Sequence, residues 1–518
     1  MQNRPRIILI SIIWLAFFWR LPGLFGNTFH ADEALFASWA RHIAVWKDPL
    51  LITQAVDKPP LLFYLQALFY PQQGPVEWAA RLPNFIVSIL LVPLTAVLFR
   101  RLYHEKWGAV AAAVVIACSP LAIQFSPTAF TDPLLTFWLV AAMSMQVASG
   151  KYASMQAASG QATPIHQPPC LPTPLLPRSP PPPHPLTAGF FFGLAVATKY
   201  QAWLFLPLLL GLGWLNGHGR HHWLRWLAGF GPVVGVVVLW DMVRSGTFSL
   251  WSAQIGNYGG VRLAWAWELW PRLAEWVKLW RTAVPIYLLI LLLLLMGWLV
   301  VRSGRMKDSH GRTDLILILF ISSYLLLHWL LSIPVWDRYM LPLVPLVALL
   351  IGRGISEIGD WRLEIRGQPI SNPSTSLRTS LQSPISIILL FLLLLFPAWS
   401  ARHSRYPIGG QPGADDGAAQ IATYLLDAPY GTVLYDHWYS WHWRYHFFDK
   451  GVYVSWFPNA DALTKELSVF GGNKQPRYIT LPNTAASQPI HRAIHQTGFT
   501  LQPVHKAGNI TLYRIATR

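Results

Sequence analysis

Two adjacent carboxylates follow the first apolar run of the chain. Asp32 and Glu33 open the segment Phe29–Arg41, whose apolar residues recur at helical spacing. A carboxylate can act as a general base on a hydroxyl group, and a neighbouring carboxylate near a bilayer should raise its pKa toward a useful value. Carboxylates in the first helical turn also cap the helix and favour its dipole. The sequence leaves catalysis and capping equally open for this pair.

A lysine in a restricted loop comes next, in the segment Asp57-Lys58-Pro59-Pro60. The two prolines fix the backbone and keep the residues before them out of a helix. An ammonium group held in this way is a compact cation suited to a phosphate oxygen. The alternative is a lysine that extends to the lipid headgroups.

Further charged residues occur at the ends of apolar runs. Arg81 precedes the second run, and Asp132 follows the third. Charges this close to a membrane span are costly unless they pair, face water or serve a function. Six such residues map to one membrane face, and their convergence indicates a shared pocket: Asp32, Glu33, Asp57, Lys58, Arg81 and Asp132.

The composition indicates the kind of molecule that must position these groups. The 518 residues are 53% hydrophobic and only 12% charged, whereas soluble chains carry about 25% charged residues. Low charge and many aromatic residues argue against disorder, and two cysteines are too few for a disulfide scaffold. The net charge of +17 comes from short basic groups between apolar runs, so we expect no nucleic-acid partner. The chain is predicted to be a polytopic membrane protein.

About eleven apolar runs are long enough to be helical spans, given that a span needs about 20 residues and fewer where helices are covered by protein. The basic residues flanking them place the N-terminus in the cytoplasm, and the odd number of runs then places the tail outside. The runs are Ile7–Trp19, Leu82–Phe99, Trp107–Phe125, Pro133–Val147, Leu186–Thr198, Ala202–Leu215, Trp223–Trp240, Ala283–Val301, Leu315–Ile333, Leu341–Ile351 and Ile385–Trp399.

The predicted domains are a transmembrane catalytic domain, 1–400, and an extracytoplasmic domain, 401–518. The first includes a juxtamembrane loop, 26–80, and a Pro-rich loop, 150–185, that we expect to be disordered. The tail has the composition of a soluble protein, and its alternating helix and strand patterns predict a small α/β domain. Its run Tyr435–Asp449, rich in His and Trp, favours a packing surface over a metal site.

The ordered motifs DE, DKPP, AARLP and TDP, at 32–33, 57–60, 79–83 and 131–133, resemble the bacterial branch of the protein O-mannosyltransferase superfamily, which includes the lipid A aminoarabinose transferase. Ala197-Thr198-Lys199 and Asp337-Arg338-Tyr339, with Leu341-Pro342 after it, extend the resemblance over about residues 7–350. It implies the GT-C fold: an α-helical polytopic membrane protein with a small extracytoplasmic α/β domain.

The resemblance implies transfer of one sugar from a polyprenyl phosphate to a hydroxyl acceptor at the outer face of the plasma (inner) membrane, with inversion expected. Asp32 would be the general base, and Glu33 would orient the acceptor, tune Asp32 or help to hold a cation. Lys58 with Arg81 or Arg338 would stabilise the phosphate leaving group. The expected substrate-binding residues are Asp57, Asp132, Lys199 and Tyr339.

The sequence leaves two questions with an alternative: whether a metal ion is needed, and whether the protein is an enzyme or a transporter. A divalent cation has candidate ligands in His30 and the nearby carboxylates. Lys and Arg are numerous enough to replace such an ion, and we expect no obligatory metal. The alternative function is a transporter or flippase, in which intramembrane charges would mark a substrate path. The acceptor, whether protein, lipid or glycan, is not determined.

Overall fold

The structure is a computed structural model that describes residues 4–517 except 72–73, 161–184, 245–248, 251–252, 254–259, 261, 284, 306–308, 366–372, 407–412, 414 and 471–473. The described residues up to Arg402 are mostly helical. They are α1 (Arg4–Gly26), α2 (Ala31–Ala44), α3 (Leu61–Ala67), α4 (Glu77–Tyr103), α5 (Lys106–Cys118), α6 (Pro120–Phe125), α7 (Thr131–Gly160), α8 (Pro185–Thr198), α9 (Leu206–Leu215), α10 (Arg220–Arg244), α11 (Ala266–Ala283), α12 (Ile286–Arg305), α13 (Ser309–Leu330), α14 (Val344–Ile365) and α15 (Pro373–Arg402). Two 3₁₀ helices, Tyr200–Phe205 and Asp337–Leu343, precede α9 and α14.

Seven helices within the described residues are long and apolar enough to cross a membrane. Each of the eleven predicted apolar runs overlaps a helix, although the number of spans stays a prediction. The third run is broken: α5 ends at Cys118, and Ser119 caps α6, with its hydroxyl accepting a hydrogen bond from the Ala122 amide. The break follows from Pro120, which has no amide hydrogen to continue α5.

Two glycines allow α8 and α10 to pack with their backbones almost in contact. A Cβ on Gly189 would lie 1.9 Å from the Trp226 carbonyl oxygen, and one on Gly229 would lie 1.9 Å from that of Leu186. Helices in membranes commonly associate through small residues of this kind. Because α8 ends immediately before Lys199, this contact also fixes the position of that lysine.

The Pro-rich loop predicted for 150–185 differs from the structure at its start. Helix α7 continues to Gly160, because the Ala- and Ser-rich residues there carry no proline. Residues 161–184 lie outside the described residues.

The tail is an α/β domain, as the sequence predicts. Its five strands are β1 (Thr432–Asp436), β2 (Val452–Trp456), β3 (Arg477–Pro482), β4 (Phe499–Ala507) and β5 (Ile510–Thr517), in the order β2-β1-β3-β5-β4. β1 pairs in parallel with β2 and β3, and β5 pairs antiparallel with β3 and β4. The helices are α16 (Ala418–Leu425), α17 (Ser440–His446), α18 (Ala460–Phe470) and α19 (Gln488–Gln496), with a short 3₁₀ turn at Ala485–Ser487.

Helix α17 lies within the run rich in His and Trp, and it packs on α2. The Arg41 guanidinium donates to the Tyr445 carbonyl oxygen and forms a 2.8 Å ion pair with Asp449. The ring Nε2 of His442 lies 3.1 Å from the Phe29 carbonyl oxygen. The run is therefore a packing surface, and it attaches the tail to the helix that carries Asp32 and Glu33.

Candidate active site

The carboxylates of Asp32 and Glu33, at the start of α2, point in different directions. His30 is the N-cap: its Nδ1 accepts from the Asp32 amide at 3.1 Å, and the His30 amide donates to Glu33 Oε2 at 2.9 Å. This is a capping box in which histidine takes the usual place of serine or threonine. Successive helical residues are about 100° apart around the axis, so Asp32 and Glu33 face different neighbours.

Glu33 is buried, and both of its carboxylate oxygens have hydrogen-bond partners. Its carboxylate accepts from the amides of His30 and Ala129, the latter at 2.7 Å, and forms a 3.1 Å ion pair with Arg81. Arg81 is 1% exposed and also donates to the Asn27 carbonyl oxygen at 2.6 Å. The contact of Arg81 with a donor phosphate stays a prediction, and in this structure its guanidinium neutralises Glu33 and joins α2 to α4.

Asp32 is more accessible and is paired with Arg338. The Arg338 Nη1 lies 2.7 Å from Asp32 Oδ2, and the Asp32 side chain is 34% exposed. Burial by itself would raise the pKa of the Asp32 carboxyl, but the charge and hydrogen bond of Arg338, together with smaller contributions from His30 and Lys58, outweigh burial and hold that pKa below its usual value. The expectation of a raised pKa is therefore wrong, since the dominant neighbour is a cation and not Glu33.

Three cations line one cavity of about 300 Å³, which we call the charged cavity. Each forms an ion pair with an aspartate, which is adjacent in the chain for Lys58 and distant in the chain for the other two. Lys58 lies 2.7 Å from Asp57, Lys199 lies 2.6 Å from Asp132, and Arg338 forms the pair with Asp32. The wall also includes Phe36, Pro59, Thr131, Tyr200, Gln201, Leu204, Gly260, His328, Leu331, Ser332, Ile333, Pro334, Trp336 and Tyr339.

All three cations come from breaks between helices. Lys58 lies in the loop before α3, Lys199 is an extended residue (φ −161°) between α8 and the next 3₁₀ helix, and Arg338 belongs to the 3₁₀ helix before α14. Irregular backbone at membrane depth is tolerated where it lines a cavity. Tyr339 follows Arg338 in the chain, and its ring centroid lies 4.7 Å from the Lys199 ammonium.

The structure thus brings together seven of the nine residues predicted for the site: Asp32, Asp57, Lys58, Asp132, Lys199, Arg338 and Tyr339. It places Glu33 and Arg81 in the neighbouring buried ion pair. The sequence analysis missed Gln201, His328 and Trp336. The sequence could have indicated His328, because it is a polar residue in an apolar helix, where such residues usually have a function.

A second cavity of about 300 Å³ lies on the other side of the start of α2. Its wall combines the first helices with the tail. Thr28 donates to the Asp416 carboxylate at 3.0 Å, and Ser404 donates to the Asn27 side chain at 2.7 Å. The lining residues are Gly26, Asn27, Thr28, Phe29, His30, Glu33, Arg81, Gln124, Pro127, Thr128, Phe130, Ser404, Tyr406, Gly413, Asp415 and Asp416.

Comparison of the sequence with known proteins gives two partial matches. Residues 57–157 match the family model described as dolichyl-phosphate-mannose-protein mannosyltransferase. Over 151 residues the chain is 28% identical to undecaprenyl phosphate-alpha-4-amino-4-deoxy-L-arabinose arabinosyl transferase 2 of Sodalis glossinidius (strain morsitans). This match covers 27% of the chain and spans 26% of the length of that relative.

Comparison of the structure gives matches along the whole chain. ArnT from Cupriavidus metallidurans is similar in its apo state, with a TM-score of 0.60, 14% identity and coverage of 98% of this chain and 97% of that one. Its structure with bound undecaprenyl phosphate gives a TM-score of 0.58, 13% identity and coverage of 99% and 98%. The archaeal oligosaccharyltransferase AglB from Archaeoglobus fulgidus, in complex with an inhibitory peptide and a dolichol-phosphate, gives 0.52 and 12%, with coverage of 100% of this chain and 74% of that one.

These similarities extend over both the helical part and the tail, whereas the sequence matches are confined to shorter segments. They confirm the predicted fold and the resemblance found in the motifs. The chain is a multi-pass membrane protein with the GT-C glycosyltransferase fold, similar to the protein mannosyltransferase and aminoarabinose transferase superfamily.

Proposed function

We propose that the protein transfers a single sugar from a polyprenyl-phosphate donor to a hydroxyl acceptor. The observation that carries the proposal is the charged cavity, in which three cations meet beside an accessible carboxylate on a capped helix. A phosphate group would be stabilised there by Lys58, Lys199 and Arg338. The whole-chain similarity to ArnT and AglB, both solved with a polyprenyl-type phosphate, supports a transferase over a transporter or flippase.

In the proposed reaction Asp32 removes the proton of the acceptor hydroxyl. The acceptor oxygen then forms a bond to the anomeric carbon as the bond from that carbon to the phosphate oxygen breaks. The electron pair leaves with the polyprenyl phosphate, whose charge the three cations stabilise, and the anomeric centre is inverted. Glu33 positions the helix that carries Asp32, because both of its carboxylate oxygens are bonded to other parts of the protein.

The position of Asp32 is suited to a reaction between two substrates. Its partner Arg338 lines the charged cavity, and its neighbours His30 and Glu33 line the second cavity. We assign the donor to the charged cavity and the acceptor to the second one. The tail contributes Asp415 and Asp416 to the latter, so it would take part in choosing the acceptor.

We propose no obligatory metal ion, because the carboxylates around the charged cavity are already paired with Lys or Arg. We also propose that the protein lies in the plasma membrane, with a cytoplasmic N-terminus and the tail outside. The excess of basic residues in the segments assigned to the inside supports this orientation.

The direct test is to incubate the purified protein with radiolabelled polyprenyl-phosphate sugars and identify the labelled product. Both hexose and aminopentose donors belong in the panel, since the similar proteins are named for mannose and for aminoarabinose. Transfer from at least one donor to a hydroxyl-bearing acceptor is expected. Failure of every donor with membrane extracts as acceptor would contradict the proposal.

Lys58→Ala should raise the KM for the donor about 10-fold or more, with a smaller effect on the KM for the acceptor. The ammonium group lines the donor cavity, and its removal leaves one cation fewer for the phosphate. Steady-state kinetics with each substrate varied in turn will measure the effect. Lys465→Ala, which removes a lysine from α18 in the tail, is the control, and unchanged donor kinetics for Lys58→Ala would remove the phosphate role.

Arg338→Gln should shift the acidic limb of the pH–rate profile to higher pH. The base works in its ionised form, so activity falls as the pH drops through the pKa of Asp32. With Arg338 in place that pKa is lowered, so activity should persist below the pH at which an ordinary aspartate becomes protonated. Without the guanidinium, burial would raise the pKa of Asp32, and activity would be lost at a higher pH.

Arg338→Lys keeps the positive charge and should keep the acidic limb close to that of the wild type. The measurement is kcat/KM for the acceptor between pH 3.5 and 8 for all three proteins, at saturating donor. An identical acidic limb in Arg338→Gln and wild type would show that Arg338 does not control the base.

A further inference from the structure

One part of the charged cavity is neutral and has unused hydrogen-bond acceptors. Gln201 and His328 line it and are 9% and 1% exposed. They belong to different elements, the 3₁₀ helix after α8 and the end of α13, and Tyr324 lies between them. Neither residue takes part in the three ion pairs.

Hydrogen bonds around Tyr324 fix the orientation of the Gln201 amide. The Tyr324 hydroxyl donates to the Tyr339 carbonyl oxygen at 2.9 Å, so its own oxygen can only accept from Gln201 Nε2. This leaves Gln201 Oε1 as the remaining end of the amide. That oxygen is buried and has no hydrogen-bond partner.

A second bond fixes the tautomer of His328. Its Nδ1 lies 2.9 Å from the Tyr324 carbonyl oxygen, which can only accept, so Nδ1 carries the proton in the neutral ring. Nε2 is then an acceptor, and no hydrogen bond from the described residues reaches it. The ring packs on Tyr324 and Tyr339, with centroid distances of 4.2 and 5.5 Å.

Gln201 Oε1, which is buried without a partner, and the acceptor His328 Nε2 both disfavour a hydrocarbon neighbour. A buried polar atom without a partner is costly, and a ligand that donates hydrogen bonds would remove that cost. The polyprenyl chain has no such donors, whereas a sugar has several hydroxyl groups. Tyr339 and Trp336 line the same cavity and offer aromatic faces to a sugar ring.

We propose that Gln201 and His328 recognise the sugar of the donor, with Gln201 Oε1 and His328 Nε2 accepting hydrogen bonds from it. This inference rests on the proposed function, since it takes a phosphate-linked sugar as the ligand of the charged cavity. The bonded groups are hydroxyls or an ammonium group of the sugar. Both residues act in specificity, and the chemical step stays with Asp32.

The test compares the binding of a polyprenyl-phosphate sugar with that of the sugar-free polyprenyl phosphate, using the purified full-length protein. The wild type should bind the sugar-bearing lipid at least about 10-fold more tightly, because a site built to hydrogen-bond a ligand rejects one that lacks the groups. Gln201→Leu and His328→Phe should remove most of this preference and leave the affinity for the sugar-free lipid within about 2-fold. His328→Asn keeps a donor for the Tyr324 carbonyl and should show the same loss in a protein that folds normally.

Gln496→Leu is the matched control. Gln496 is an exposed residue at the end of α19 in the tail, and the substitution should not change the preference. Donors with a neutral hexose and with an aminopentose distinguish hydroxyl from ammonium recognition. A deoxy donor that lacks the bonded hydroxyl should bind the wild type and Gln201→Leu equally weakly.

Three results would overturn the inference: a wild type without preference for the sugar-bearing lipid, variants that keep the preference, or variants that weaken the sugar-free lipid equally. Failure of the proposed function would look different. The wild type would then prefer the sugar-bearing lipid and lose this preference in the variants, but would transfer no sugar to any acceptor.

Discussion

Replacing Asp32 by Asn is expected to lower kcat for sugar transfer about 10²- to 10⁴-fold, the usual contribution of a general base. The Asn side chain keeps an oxygen that can accept from Arg338 Nη1, 2.7 Å away in the wild type. It has no basic group to take the acceptor proton. Because the Asp32 side chain is 34% exposed, this change should leave folding and membrane insertion near normal.

Single-turnover transfer with saturating donor and acceptor is the appropriate measurement, together with the yield of monodisperse protein. Asp461→Asn removes the same charge from the surface of α18 and should keep wild-type activity. Turnover by Asp32→Asn at the wild-type rate would refute the assignment of the base, whatever the effect of other substitutions.

Glu33→Ala is expected to destabilise the fold by about 3–5 kcal/mol, because it leaves the buried Arg81 cation unpaired. The substitution also removes the acceptor for the amides of His30 and Ala129, which join α2 to the loop before α7. Arg81→Ala should have a similar effect, since it leaves the Glu33 carboxylate buried without its cation. We expect low yield and early thermal unfolding in detergent for both variants.

The control is an exposed ion pair of similar length. Arg262 and Glu268 are 2.7 Å apart, with side chains 41% and 29% exposed, and Glu268→Ala should leave the unfolding temperature almost unchanged. A Glu33→Ala protein with wild-type stability and no transfer would instead assign Glu33 to the chemistry.

Apolar runs, and prolines that interrupt helices, made the helical part predictable. A bilayer demands long apolar helices, so apolar runs locate them, and Pro59 and Pro60 mark a point where regular helix is interrupted. The break at Pro120 was not predicted, because Pro120 lies within the apolar run Trp107–Phe125. The pairing of charges was not predictable in the same way. Arg81 and Arg338 are both arginines beside apolar runs, and only the packing of α2 against α4 decides that Arg81 neutralises Glu33.

The prediction that the pKa of Asp32 is raised was wrong for a related reason. The sequence shows Glu33 next to Asp32, but it does not show Arg338, which is 306 positions away in the chain and 2.7 Å away in space. In the tail, the alternation of helix and strand patterns predicted an α/β domain but did not reveal every strand. β4 was missed because Pro503, His505 and Lys506 interrupt the pattern on an edge strand.

The two cavities beside α2 have a consequence for how such proteins diversify. Helix α2 and the segment Phe130–Thr131 contribute to both walls, whereas the tail contributes to the wall of the second cavity and not to that of the charged cavity. On the proposed assignment of donor and acceptor, changes at Ser404, Tyr406, Asp415 or Asp416 would redirect the product to a new recipient without altering which carrier is used. One scaffold could in this way acquire new recipients step by step while keeping a common supply of activated sugar.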